Sequence, residues 1–104
     1  MAGELVQIVL PLYDNDGQRH PRELFKRTFD ELTERFGGVT AFTRAPAEGL
    51  WDDGSGRVVR DDVIVVEVMT DARDDRWWAE QRERLAARFK QQELVVRALP
   101  CRNI

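Results

Sequence analysis

Apolar residues recur along the chain with two different spacings, and the spacing indicates which segments are strands and which are helices. Extended runs rich in Val, Ile and Leu predict strands at 5–13, 39–43, 57–69 and 93–99, with Pro100 ending the last of them. Helical spacing of Leu24, Phe25 and three later residues predicts a first helix from Pro21 to Phe36, where two glycines stop it. A second helix is predicted from an N-cap at 70–71 to the neighbourhood of residue 91.

The order of these elements predicts the fold class. Residues 52–56, with the sequence DDGSG, form a strong turn signal that predicts a hairpin between strands two and three. The resulting order β, α, β, β, α, β is typical of a ferredoxin-like α+β domain, with a four-stranded antiparallel sheet and both helices on one face. We expect one such domain over residues 1–104, with strands one and three in the centre of the sheet.

Composition and charge exclude several classes of function. The formal net charge is −3 and the two signs alternate along the chain, which disfavours binding to nucleic acid. The best basic patch, Arg82, Arg84, Arg88 and Lys90, is also explained by the preference for cations near a helix C-terminus. No segment approaches the roughly 20 apolar residues of a membrane span, and the N-terminal apolar run reads as a strand and not a signal peptide. The expected location is the cytoplasm.

Metal and cofactor sites are not expected either. One cysteine, Cys101, and one histidine, His20, cannot assemble the usual Cys/His ligand sets within one chain. The four aspartates that flank the predicted hairpin match no EF-hand spacing. Turn chemistry explains Asp52 and Asp53, and protection of a sheet edge by charge explains Asp61 and Asp62.

Two segments carry a resemblance to a known family. RFGGVT at 35–40 and GLWDDGSGRVVRD at 49–61, followed by a Val-rich strand, resemble a bacterial family of small proteins known only as a domain of unknown function. The segment 89–93 and Cys101 also fit the layout of that family. The resemblance implies a ferredoxin-like fold and no activity. Members of the family carry a secretion signal and have Pro-Asp-Gly where this chain has Gly37-Gly38, so their localisation does not transfer.

The sheet face opposite the helices is the main functional candidate. Alternation along the central strands assigns one set of side chains to the core: Val6, Ile8, Leu10, Leu12, Ile64, Val66 and Val68. The opposite face then carries seven mainly apolar residues, Val9, Tyr13, Val63, Val65, Met69, Val95 and Leu99. Three polar residues, Gln7, Glu67 and Arg97, lie among them. Such an apolar patch normally marks an interface or a ligand site. We expect a homodimer packed sheet to sheet; a small-molecule cavity between the sheets and plain solvent exposure are the alternatives.

The polar residues on this face allow two interpretations. Glu67 and Arg97 are expected about 9–10 Å apart, with Gln7 between them as a bridge. A hydrogen-bonded network that fixes dimer register is the structural interpretation, and a catalytic acid beside an electrophilic arginine is the chemical one. His20 is the obvious general-base candidate, but its position before Pro21 favours a capping or loop role. No residue is therefore assigned to catalysis.

Tryptophans mark two further positions. Trp51, before the predicted turn, is either a lid over one end of the core or a stacking platform for a ligand. Trp77 and Trp78 diverge by about 100° on a helix, so both cannot face one core, and one is expected to meet a partner. The sequence thus predicts a small homodimeric interaction or ligand-binding module without catalytic activity. The alternative is a cofactor-independent enzyme, similar to small monooxygenases or isomerases, that uses the open sheet face.

Overall fold

The computed structural model describes the backbone of residues 2–52 and 58–104 and the side chains of residues 3–42 and 62–104. Its elements follow the order β, α, β, β, α, β. The bounds are β1 Ala2–Pro11, α1 Arg22–Phe36, β2 Thr40–Asp52, β3 Val58–Thr70, α2 Asp75–Arg88 and β4 Val96–Arg102. The ferredoxin-like α+β architecture predicted from the sequence is confirmed. Most of the predicted hairpin turn, residues 53–57, lies outside the described residues.

The strands form one antiparallel sheet in the order β2-β3-β1-β4. Strands one and three are central, as predicted. Central strands pair on both sides and are covered by helices on one face, so they need the most continuous apolar sequence. In this chain β1 and β3 meet that requirement, whereas β2 and β4 lie at the edges.

Both ends of β1 and of β4 differ from the sequence prediction, and β1 already begins at Ala2. β1 stops at Pro11, and Tyr13 forms only an isolated antiparallel bridge with Arg19 across the following turn. β4 begins three residues later than predicted and runs through Pro100 to Arg102. The expected stop at Pro100 is wrong because β4 is an edge strand, where one side of the backbone has no neighbour that needs the missing N–H.

β2 is longer than predicted. The sequence indicated a strand at 39–43, irregular chain over 44–49 and extended structure again at Leu50-Trp51, whereas the structure has one strand over Thr40–Asp52. Its pairing with β3 is interrupted between Phe42 and Ala47, where the register shifts, so the irregular stretch is shorter than predicted and lies within one strand.

The helix ends follow the local chemistry of the sequence. α1 begins after Pro21 and ends at Gly37, whose φ of 80° lets its N–H donate to the Thr33 carbonyl at 2.8 Å. α2 is capped by Asp74, whose side chain accepts a hydrogen bond from the Trp77 backbone N–H at 3.0 Å. The predicted N-cap at 70–71 is therefore three to four residues too early.

Side chains from both helices and from β1 and β3 form one core. Every core residue predicted on the two central strands is buried. The helices and the segments that follow α2 and lead into β4 add Phe25, Leu32, Trp78, Leu85, Phe89 and Leu94. Burial on one side of alternating strand residues is the direct consequence of the two-residue period of a strand.

Both adjacent tryptophans contact their own chain. Trp78 is buried in the core, while Trp77 stacks edge-on against it and against Phe36, with ring centroids 4.8 and 5.3 Å apart. The Arg35 guanidinium lies 4.4 Å from the centroid of the Trp77 ring. Trp77 stays half-buried beside Phe36 and Arg35, so the expectation that one of the pair meets a partner stays a prediction.

Candidate functional site

The candidate site is the sheet face that no helix covers, here called the open face. Strand register places its side chains in rows that run across β3, β1 and β4. One row consists of Glu67, Gln7 and Arg97. The row on one side of it consists of Met69, Leu5 and Leu99. The row on the other side consists of Val65, Val9 and Val95. Val95 is placed beside Val9 by its carbonyl, which accepts a hydrogen bond from the Val9 N–H at 3.0 Å.

The polar row is linked by two side-chain hydrogen bonds. The Gln7 amide nitrogen donates to Glu67 Oε2 at 2.8 Å, and Arg97 Nε donates to the Gln7 amide oxygen at 2.9 Å. Gln7 is suited to this position because its amide offers a donor to the carboxylate and an acceptor to the guanidinium at the same time. The bridging role expected for Gln7 is confirmed.

The rows beside the polar one are apolar and accessible. Val95 is 51% exposed, Leu99 43% and Met69 40%, whereas Val9 and Val65 are half-buried. Glu67 is half-buried and Arg97 is exposed. An accessible apolar surface around a fixed charged row is a combination found at protein interfaces and ligand sites.

Sequence reasoning missed two members of this face. Phe42 on β2 lies opposite Val65 in the sheet and is 50% exposed, and Leu5 lies between Met69 and Leu99. Leu5 shares the odd-number parity of Gln7 and Val9, so the strand period could have identified it. Phe42 could not be assigned to a face before the register of β2 against β3 was known.

The other predicted site residues are not all part of the face. Tyr13 lies beyond the end of β1 and is 42% exposed in the turn that follows. Val63 is half-buried and pairs with Pro11 and Ala47, one row beyond Val65, where the pairing of β1 with β3 ends. The backbone of Trp51 pairs with Val59, and its side chain lies outside the described residues.

A cleft adjoins one side of the open face. It has a volume of about 460 Å³ and lies between the C-terminal end of α1 and the edge of the sheet. Glu67 is the one ionisable residue among those that line it; the others are Leu5, Phe36, Gly37, Gly38, Val39, Thr40, Val68 and Met69. A ligand in this cleft would meet one carboxylate in otherwise neutral surroundings.

His20 lies on the opposite side of the sheet, among core residues. It is buried to 4% exposure, and its ring meets Phe89 edge-on with centroids 5.2 Å apart. Its backbone N–H donates to the Leu12 carbonyl at 2.9 Å, and α1 starts at Pro21 without a side-chain cap. Of the two roles that the sequence allowed, His20 therefore has the loop position and does not cap α1.

The burial of His20 also changes its pKa. Desolvation lowers the pKa of His20, the nearby charge of Lys90 acts in the same direction, and Asp14 opposes them. The buried Nε2 atom has no hydrogen-bond partner among the described residues. The open face and His20 are thus separated by the sheet, and the two general-acid/base candidates of the sequence are not brought together.

The basic residues of α2 do not form a free patch. The Arg88 side chain is 6% exposed between the helices, where it donates to Glu31 Oε1 at 2.7 Å and to Thr28 Oγ1 at 2.9 Å. Arg84 donates to the buried Gln81 side chain at 2.9 Å. Two of the four cations that the sequence suggested for nucleic acid are therefore used within the helix layer.

Residues 2–52 and 58–104 contain neither a membrane-spanning helix nor a group of metal-ligand side chains. They contain no helix with the length and apolar character needed to cross a membrane. Within the same ranges, no three His, Cys, Asp or Glu side chains are grouped as metal ligands would be. Cys101 is a free, half-buried thiol on β4, opposite Gly3 of β1.

Comparison with known proteins gives a fold and no family. No protein-family model matches the chain, and no curated protein matches it. Among solved structures, the periplasmic divalent cation tolerance protein CutA from Archaeoglobus fulgidus superimposes with a TM-score of 0.63 at 19% identity, over 100% of this chain and 88% of that one. CutA1 from Oryza sativa gives a TM-score of 0.64 at 16% identity, over 99% and 83%. A phage SAM lyase in complex with S-methyl-5'-thioadenosine gives 0.63 at 15% identity, over 93% and 80%.

These likenesses support the ferredoxin-like architecture independently of the sequence pattern. At such identities a shared fold says nothing about shared chemistry, because function resides in the side chains of a site and not in the fold. The class of protein is thus a small ferredoxin-like α+β domain.

Proposed function

We propose that this chain is a small self-associating module whose open face packs against the open face of a second copy, and that it has no catalytic activity of its own. The observation that carries the proposal is the accessible apolar surface of β1, β3 and β4. Burying such a surface against an identical one removes apolar area from water, which drives most protein association. The hydrogen-bonded polar row supplies the specificity that an apolar surface lacks.

The absence of catalysis in this proposal is supported by the placement of the candidate groups. Glu67 and Arg97 are held apart by Gln7, and His20 is enclosed behind the sheet. A general base must lie within hydrogen-bond reach of the proton that it removes. We also propose a cytoplasmic location, with which a single unpaired cysteine is consistent.

The experiment is a measurement of mass in solution by light scattering. At tens of micromolar we expect twice the 12.1 kDa mass of one chain. Val65→Glu places a charge in the middle of the face and should shift the mass to that of one chain. Ala79→Glu, which adds the same charge at an exposed position of α2, should leave the mass unchanged. A wild-type mass of one chain or of three chains would contradict a sheet-to-sheet pair.

A second candidate function is a small-molecule site in the cleft beside Glu67. The cleft itself favours it, since about 460 Å³ is the size of a typical ligand pocket. Under this alternative the domain is a ligand-binding protein or a cofactor-independent enzyme of monooxygenase or isomerase type, with Glu67 as the acid or base.

Thermal shift assays test this second candidate. The fold neighbours suggest S-adenosylmethionine, S-methyl-5'-thioadenosine and a divalent cation such as Zn²⁺ as probes. A ligand at 100 times its Kd stabilises a protein by about 2.7 kcal/mol, which gives a clear rise in Tm. The cleft site requires that Glu67→Gln reduce the rise. A rise that survives this substitution places the ligand elsewhere.

A further inference from the structure

The open face presents its charges in a fixed order across the sheet. Glu67 lies on β3, Gln7 on β1 and Arg97 on β4. The Gln7 amide hydrogen-bonds to Oε2 of Glu67 and to Nε of Arg97. Glu67 Oε1 and the two terminal nitrogens of Arg97 take no part in these two hydrogen bonds. These are the polar atoms that a facing surface would meet.

The order of charges discriminates between the ways in which two identical faces can pack. A two-fold axis between facing sheets can run along the polar row or parallel to the strands. With the axis along the row, each Glu67 faces the other Glu67 and each Arg97 faces the other Arg97. Like charges placed opposite each other across an interface are strongly unfavourable.

A two-fold axis that runs parallel to β1 and lies above Gln7 places the polar row of the second copy over that of the first in the opposite order. Glu67 of one copy then faces Arg97 of the other, and the same contact occurs twice. Moving the axis sideways to lie between β1 and β3 would instead place Arg97 opposite Thr40 and Glu67 opposite Gln7. The position above Gln7 is the one that pairs both charges.

The neighbouring rows agree with this axis. Reversing the row of Leu5 brings Met69 of one copy over Leu99 of the other. Reversing the row of Val9 brings Val65 over Val95. Apolar side chains thus meet apolar side chains in the rows on both sides of the charged one.

The geometry points to an isologous dimer in which the two-fold axis runs parallel to β1 above Gln7, with Glu67 of each copy paired to Arg97 of the other. This inference rests on the proposed self-association and names its docking geometry. The strands of the two sheets then run in nearly the same direction, as in aligned sheet packing.

Charge reversal tests the pairing. Glu67→Arg alone places arginine opposite Arg97 twice, and Arg97→Glu alone places two glutamates opposite each other. Either variant should raise the dimer Kd by about 100-fold or more, since like-charge contacts cost several kcal/mol. The double variant E67R/R97E restores both pairs and should associate like the wild type, as should an equimolar mixture of the two single variants.

The matched control is Glu83→Arg, which makes the same change of charge at an exposed position on α2. It should leave the Kd unchanged, and circular dichroism of each variant checks that it is folded. A monomeric wild type contradicts the self-association itself. A wild type that is dimeric, but whose Kd does not change in the single charge-reversal variants, contradicts only the proposed axis. With an axis along the polar row, like charges face each other both in the wild type and in these variants.

Cross-linking gives a second readout of the axis that does not depend on charge. In a Cys101→Ser background, Val9→Cys places the new thiols opposite each other on the axis, so a short bismaleimide that spans the ~10 Å between packed sheets should join two copies. Val65→Cys should not cross-link with itself, but should cross-link when mixed with Val95→Cys. Cross-linking of Val9→Cys with Leu5→Cys, and not with itself, would show the axis along the row and overturn the inference.

Discussion

The buried arginine between the helices makes a quantitative prediction about stability. Arg88→Met keeps most of the aliphatic stem but removes the hydrogen bonds to Glu31 at 2.7 Å and to Thr28 at 2.9 Å. A hydrogen bond to a charged group contributes about 1.5–3 kcal/mol, and breaking a fully buried ion pair costs about 3–5 kcal/mol. The Glu31 side chain keeps 31% exposure, so water replaces part of the lost contact. We expect a loss of about 2–3 kcal/mol in the free energy of unfolding.

The assay is urea unfolding followed by circular dichroism at one fixed protein concentration, since association also stabilises the folded state. In thermal unfolding the same loss corresponds to a drop in Tm of about 10–20 °C for a chain of this size. The matched control is Arg76→Met. That arginine is 91% exposed and pairs with Glu80 at 3.5 Å within one helix, so its loss should change stability by less than about 0.5 kcal/mol.

The pH dependence of this loss follows from the titration of Glu31. Burial raises the pKa of Glu31, but hydrogen bonds from Arg88 and Gln81 and the charges of Arg88 and Arg27 outweigh it, so the pKa lies below its ordinary value. A carboxyl with a lowered pKa in the folded state contributes stability above its ordinary pKa and loses it as the pH falls through the folded value. The difference between wild type and Arg88→Met should therefore shrink in acid. A loss no larger than that of Arg76→Met at pH 7 would refute the reasoning.

Three further predictions concern the open face, His20 and the start of β1. Arg97→Met should destabilise the protein more with Glu67 intact than after Glu67→Gln, by at least about 0.5 kcal/mol in a double-mutant cycle, and additive effects would argue against a coupled row. Burial lowers the pKa of His20, so the free energy of unfolding of the wild type should fall relative to that of His20→Gln as the pH drops below about 6.5. Parallel pH profiles of the two proteins in unfolding titrations would show that His20 does not cause the pH dependence. In Gly3→Ala the new Cβ would lie 2.5 Å from the Thr70 carbonyl oxygen, so we expect the free energy of unfolding in urea to fall by about 1–3 kcal/mol. An unchanged unfolding midpoint would mean that the backbone near Gly3 and Thr70 shifts at no cost.

Local pattern in the sequence predicted the elements and the core of the central strands. The two-residue period assigns Val6, Ile8 and Val66 to one face whatever the neighbours are, because successive strand side chains point to opposite sides. Gly37 ends α1 for a reason that is equally local, since it adopts a positive φ at low cost. The polar row was also predictable, because Gln7, Glu67 and Arg97 each occupy the outward parity of a predicted strand.

Tertiary structure decided what depends on neighbours distant in sequence. Pro100 is accepted within β4 because that strand lies at the sheet edge, and Phe42 joins the open face because of its register against Val65. His20 is enclosed because Phe89 packs on it from the end of α2. Arg88 appears in the sequence as one of several surface cations, yet Glu31 and Thr28 of the other helix satisfy its donors and allow its burial. Such partners are fixed by packing between elements, whereas periodicity and capping act within one element.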